Sequence, residues 1–185
     1  MVVLITSSHR PSRRTRSFLK DLNKVIPNSL RVNRGKKTFD DLALIALNNG
    51  LKYVLIVSEV NANPLRITIY GVYEQESKLV RLAELRLSGV KLLREIPDSQ
   101  IPLNIRKLVI DPKDLDVLNK VGGLDKFLEA LRAEIKPVDS IVSVGDYMLV
   151  KPKKLDGDLE LSFICLGTMK ICGPIIRVRR VITYG

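Results

Sequence analysis

At 185 residues and 20.8 kDa, the chain is long enough for one substantial hydrophobic core or two small ones. Hydrophobic residues make up 45% and charged residues 28%, which excludes a disordered chain, and no apolar run reaches the roughly 18 residues of a membrane span. The formal net charge is +11, and +9 of it falls in residues 1–37, where ten Lys or Arg stand against one acid, Asp21.

In chain order, Val2–Ile5 reads as a short buried strand, and VVLI is too short and too close to the terminus for a signal peptide. Thr6-Ser7-Ser8 supplies turn and cap residues, and Pro11 suits the first turn of a helix over 12–25. Phe18, Leu22 and Val25 or Ile26 recur at helical spacing and form its core face. At about 100° per residue, Arg13, Arg16, Lys20 and Lys24 cluster on the opposite side, so folding the helix displays a stripe of four cations.

Leu30–Asn33 is a second short strand, followed by the basic loop RGKK. Thr38 with Asp41 has the spacing of a capping box for the helix FDDLALIALNN, which ends at Gly50. Lys52–Val60 is a nearly continuous β-branched and apolar run, the pattern of a central strand covered on both faces. Asn61–Pro64 is a turn. Leu65–Tyr73 and Leu79–Leu87 alternate with period two around EQESK, which predicts an antiparallel hairpin.

Residues 91–104 hold two prolines and little periodicity, so they separate an N-terminal half of about 1–90 from a C-terminal half of about 105–185. A similar order then returns. Lys107–Ile110 is a strand, Asp111-Pro112 starts a helix, Gly122-Gly123 breaks it, and Leu124–Glu134 is a second helix. Strands follow at Tyr147–Lys151, Leu159–Leu166 and Ile175–Ile182. In the last strand simple alternation puts Arg177 and Arg179 on one face and Arg180 on the other, with Val178 and Ile182. The repeated order suggests a duplication.

Catalytic chemistries find little support. GKKT resembles the end of a phosphate loop, but position 30, where that motif needs glycine, is Leu. One histidine, His9, and two cysteines seven apart match no common zinc spacing. Cys165 and Cys172 read as small core or strand residues in a reducing compartment, without a disulfide framework. His9 is surrounded by cations, and Asp40-Asp41 and Asp156/Asp158 suit a helix start and a polar turn. No cofactor is expected. At 5% aromatics without Trp, a broad platform for stacking single-stranded bases is not expected either.

The basic surface remains. Lys and Arg neutralise phosphates, Arg grips them bidentately, and TSSHRPSRRT adds hydroxyls and helix-start amides suited to phosphate oxygens. The candidate polyanion-binding residues are therefore Ser7, Ser8, Arg10, Arg13, Arg14, Arg16, Lys20, Lys24, Arg34, Lys36 and Lys37, with Arg177, Arg179 and Arg180 as a second patch. A protein scaffold docking an acidic partner through the same face is the alternative.

ITSSHRPSRRTRSFLKDLNKVIPNSLRVNRGKKTFDDL resembles the opening of Brix-domain proteins: a strand ending in Thr-Ser-Ser, then Arg, Pro-Ser, a basic helix, an Arg-Gly segment and a helix. NNGLKYVLIVSEVNANP is similar to the family's next segment, and CGPIIRVRRVI resembles its closing Gly-Pro-Arg pattern, with Ile175 where the family often has Arg. The resemblance implies an α/β fold: a duplicated, two-half Brix domain in which each half is a mixed sheet with packed helices, similar to an anticodon-binding domain. It also implies a non-enzymatic, cytoplasmic ribosome-biogenesis factor of archaeal type. Its expected partners are precursor rRNA, with small-subunit processing the branch it most resembles, and other assembly proteins.

Overall fold

The computed structural model of the protein describes residues 3–184, so the start of the first strand at Val2 lies outside them. Strand β1 (Val3–Ser7) is buried along its whole length. It lies between β2 (Leu30–Arg31) and β3 (Tyr53–Val60), parallel to both, and the central place of β3 in the sheet accounts for the nearly continuous apolar run of Lys52–Val60. The hairpin β4 (Asn63–Tyr73) and β5 (Lys78–Lys91) continues the sheet antiparallel to β3. Its leading turn uses Asn61 and Ala62, both at positive φ, while Pro64 belongs to the strand and not to the turn.

The second half repeats this plan. Strand β6 (Lys107–Ile110) lies parallel to β7 (Glu134–Ile135) and β8 (Tyr147–Lys154), and β9 (Leu159–Cys165) and β11 (Ile175–Thr183) follow antiparallel. A two-residue β10 (Lys170–Ile171) pairs with β9 off the main path. The order is β2-β1-β3-β4-β5 in one half and β7-β6-β8-β9-β11 in the other, joined by the antiparallel β5·β11 pair into one sheet. The two edge strands, β2 and β7, are each two residues long, which limits unpaired edge. The Leu124–Glu134 helix is shorter than its pattern suggests: α4 (Asp125–Ala130) stops early because Glu134-Ile135 is drawn into the edge strand.

Helix α1 (Arg13–Val25) buries Phe18, Leu19, Leu22 and Val25 on one face of the sheet. α3 (Leu115–Asn119) and α4 pack on the same face, so side chains of both halves share one core. Deleting a fully buried ring such as Phe18 or Phe127 in that core is the kind of change that costs about 3–5 kcal/mol. α2 (Phe39–Asn48) covers the opposite face, setting Leu42 and Ala46 against Leu4, Val54 and Ile56. Its start is the expected capping box, with the Thr38 amide donating to Asp41 at 2.8 Å. At its end Gly50 takes a φ of +63°, where a Cβ would be strained.

The segment between the halves is docked rather than loose. Arg14 on α1 pairs with Glu95, the Leu93 amide donates to Asp21 at 2.9 Å, and Arg94 donates to the Ser17 hydroxyl at 3.2 Å. The only acid among residues 1–37 is thus spent on holding this segment to α1.

Cys165 and Cys172 are joined by a disulfide, contrary to their reading as free thiols. Their spacing gives no hint of it, but β9 and β10 pair so that Cys165 stands opposite Lys170 and the chain turns back on itself. With seven residues of separation, the loop-closure account predicts that Cys165→Ala/Cys172→Ala loses about 2–3 kcal/mol relative to the oxidised protein. Urea unfolding with and without reductant checks this, since reductant should move only the unmutated protein.

Candidate nucleic-acid interface

The cation stripe forms as helical phase demands. Arg13, Arg16, Lys20 and Lys24 are all exposed on α1, opposite Phe18, Leu22 and Val25. Arg14, one position off the stripe, has a different job. Its guanidinium bonds both carboxylate oxygens of Glu95 and donates to the Val90 carbonyl at 2.9 Å. The hydrogen bond to Glu95 raises the Arg14 pKa and holds the Glu95 carboxyl below the usual range. Arg14 is therefore an anchor between α1 and β5, not a free phosphate ligand.

The two serines are also reassigned. Ser7 is the last residue of β1, paired with Val57 and 2% exposed. Ser8 is half-buried, and its amide donates to the Val57 carbonyl. The cap of α1 is Ser12, whose side chain accepts from the Thr15 amide, with Pro11 just outside the helix. The positive helix start is already occupied by an internal anion. Glu59 on β3 accepts from the Ser12 amide at 3.0 Å, the Ser12 hydroxyl at 2.7 Å and the Thr15 hydroxyl. So the Ser12 and Thr15 amides are not open to phosphate.

Burial pushes the Glu59 carboxyl up, but the bonds from Thr15 and Ser12 outweigh it, and its pKa lies below the ordinary glutamate range. A depressed carboxylate pKa contributes stability above the unfolded value, lost as pH falls through the folded one. Glu59→Gln is therefore expected to cost about 1–3 kcal/mol at pH 7. In chemical unfolding at stepped pH, its difference from the unmutated protein should shrink toward zero as pH falls below about 4.

The C-terminal patch departs from simple alternation. Between β5 and β11 the register shifts twice, with Arg177 opposite Gly89, Val178 opposite Leu87 and Arg180 opposite Arg86. Ser88 and Arg179 are each an extra residue on one strand. Val178 and Leu87 therefore both reach the main core, while Arg180 lies beside Arg86 on the other face. Arg177 donates to Glu160 at 3.0 Å, and Arg179 stands 3.9 Å from Asp158, which also accepts from Ser88 at 2.5 Å.

Arg86 in turn stands opposite Arg66. Three arginines thus lie side by side on β4, β5 and β11, across the seam between the halves, and all three are exposed. Glu84, 4% exposed, is bonded by Arg86 at 3.1 Å and approached by Arg66 at 3.5 Å. One carboxylate among three cations leaves the row strongly positive. Arg179 and Arg180 line one cavity with Arg66, Arg86 and Glu59, so the row adjoins the start of α1. Sequence reasoning missed Arg66 and Arg86. Folding the hairpin about EQESK would have placed them nearly opposite one another.

The loops after β1 and β2 hold the rest. Arg10 is exposed at a φ of +52°, Lys36 is exposed and Lys37 half-buried. Arg34 is 5% exposed and stacks on the Phe39 ring at 4.9 Å, so it is not the open loop cation that RGKK suggests. Among the described residues no group of three or more His, Cys, Asp or Glu is placed to hold a metal, and no helix is long and apolar enough to cross a membrane.

A doubled, mixed sheet with helices on both faces has solved counterparts. A crystal structure of a probable ribosomal biogenesis protein from Aeropyrum pernix superposes with a TM-score of 0.80 at 30% identity, covering 96% of this chain and 95% of that one. Mil, an archaeal Imp4-like protein, shares the fold at a TM-score of 0.70 and 18% identity, covering 98% and 99% of the two chains.

In sequence, a probable Brix domain-containing ribosomal biogenesis protein of Aeropyrum pernix is 32% identical over 174 residues, 94% of this chain and 93% of the relative. Its counterpart in Thermococcus kodakarensis is 46% identical over 101 residues, and that match takes in 55% of this chain and about half, 48%, of the relative's own length. No family model matches. The chain belongs to the Brix-domain family of ribosomal biogenesis proteins.

Proposed function

We propose that the protein is a non-catalytic assembly factor that binds precursor rRNA of the small subunit, in the cytoplasm, through cations displayed on both faces of the sheet. The observation that carries this is the Arg66–Arg86–Arg180 row. Like charges directly opposite on neighbouring strands oppose folding, and Glu84 offsets only part of the row's charge, which supports an external polyanion as its partner. The α1 stripe has the same character: four exposed cations on one face of a helix whose packing needs none of them. Such a surface supports recognition by backbone charge and shape, the mode suited to folded RNA.

The test is the salt dependence of binding to structured rRNA. About six to ten phosphate contacts predict that affinity falls by about 10³–10⁵ between 50 and 200 mM salt. A nearly flat response would overturn the reading. Recovery of partners that is insensitive to ribonuclease would instead favour an acidic protein on this face.

A further inference from the structure

Between the loops that leave β1 and β2 lies a cavity of about 240 Å³, lined by Ser7, Arg10, Arg16, Arg31, Asn33 and Arg34 among its polar residues. It sits outside the carboxyl ends of two parallel strands whose following helices pass to opposite faces of the sheet, where open α/β sheets characteristically bind ligands. No carboxylate lines it. The nearest acids act from outside: Glu59 attracts Arg16, and Asp41 attracts Arg34.

Arg34 is the informative residue. At 5% exposure its Nε and Nη1 are buried without a hydrogen-bond partner. Stacking on Phe39 at 4.9 Å attracts the charge but leaves those N–H groups unmet. Burial pulls the Arg34 pKa down, as expected for a cation whose desolvation is not repaid. Folding alone gives no reason to collect four guanidinium-bearing residues here and leave the most buried one unsatisfied.

The surrounding loops are firmly held. Thr6 Oγ1 donates to the Val32 carbonyl at 2.8 Å, the Val32 amide to Ile5 at 3.0 Å, and the His9 ring lies 3.0 Å from the Gly35 carbonyl, bonded through Nδ1. Arg31 donates to Asn33 at 3.3 Å, and Arg10 is held at a positive φ on the rim. These contacts preorganise the pocket and do not fill it.

We infer that this pocket binds a single phosphate group, with Arg34 as its buried donor and Arg10, Arg16 and Arg31 closing around the oxygens. The inference deepens the RNA-binding reading and rests on it for the source of the phosphate, a chain end or an internal phosphodiester. It is separate from the Ser12 amide, which Glu59 occupies.

The probe is inorganic phosphate, titrated into the full chain by calorimetry at low chloride. Saturable one-to-one binding is expected. Arg34→Lys should weaken it by about tenfold, because a lysine cannot reproduce the planar fork, and Arg34→Met should abolish it. If Arg34→Met proves unstable, Arg31→Gln and Arg10→Gln carry the test from the rim, each weakening phosphate by about three- to tenfold with an unchanged melting temperature.

A short RNA bearing a 5′-phosphate is then compared with the same RNA ending in a 5′-hydroxyl. A preference for the phosphorylated end that Arg34→Lys removes assigns the pocket to a chain end. Equal binding of both that Arg34→Lys weakens assigns it to the internal backbone. Absence of saturable phosphate binding, or binding unchanged in the Arg34 and Arg31 variants, overturns the pocket. RNA affinity that persists in those variants while falling in Arg13→Glu/Lys20→Glu would leave the broader RNA reading intact.

Discussion

Arg13→Glu combined with Lys20→Glu is expected to weaken binding of structured rRNA by about hundredfold or more at 150 mM salt and to flatten its salt dependence by about two units of log–log slope. The melting temperature should stay within a few degrees. Both side chains are exposed on α1 and make no ion pair among the described residues, so their reversal removes phosphate contacts without opening the core. Arg14→Gln is the matched control, because it breaks the bonds to Glu95 and Val90 that hold α1 to β5. It should cost stability, about 1–3 kcal/mol, with little effect on RNA affinity once the folded fraction is corrected for. Electrophoretic mobility shift or filter binding, paired with thermal unfolding, reads both axes. A stripe variant that unfolded while RNA affinity per folded molecule held steady would mean that α1 is structural only.

That contrast between neighbouring arginines shows what was legible in the sequence. Helical phase is local: once Phe18, Leu22 and Val25 define the buried side, the exposure of Arg13, Arg16, Lys20 and Lys24 follows. The role of Arg14 depends on Glu95, 81 residues away, and could not be read the same way. The cap of α1 has the same character. Thr6-Ser7-Ser8 looks like a turn because hydroxyl residues favour caps, but β3 extends far enough to draw Ser7 into the ladder opposite Val57. The helix is then capped by Ser12 with help from Glu59, 47 residues on.

The strands show a similar division. The apolar run of β3 and the period-two hairpin were legible because burial on both faces, or on one, is written directly into residue order. The doubling of the plan was visible only as a repeated order of elements; register makes it exact enough to compare, strand for strand. Strand β11 defeated alternation because an extra residue in a strand sends every following side chain to the other face. Two such extra residues act here: Ser88 on β5 brings Leu87 into the core opposite Val178, and Arg179 on β11 places Arg180 beside Arg86. The disulfide lies beyond local reading for the same reason: the β9–β10 pairing, not the Cys spacing, brings the thiols together.

The arginine row leads to a prediction in which stability and RNA affinity move in opposite directions. Arg180→Gln removes a cation facing Arg86 and breaks no ion pair among the described residues, so relief of repulsion is expected to leave stability unchanged or raise it by about 0.2–1 kcal/mol. RNA affinity should nevertheless fall by about three- to tenfold, with the salt slope reduced by about one unit. Glu84→Gln should do the reverse. Glu84 is buried between Arg66 and Arg86, so losing its charge is expected to cost about 1–2 kcal/mol, a modest figure because both guanidinium partners, 46% and 44% exposed, are partly screened by water. The same change makes the row more positive and should tighten RNA. Measuring unfolding and RNA binding on both variants gives two pairs of signs. A row kept for folding predicts that Arg180→Gln destabilises and leaves RNA binding unmoved. A row kept for RNA predicts crossed signs, because Glu84 offsets only part of the repulsion among Arg66, Arg86 and Arg180, and a polyanion lying across the seam relieves the rest.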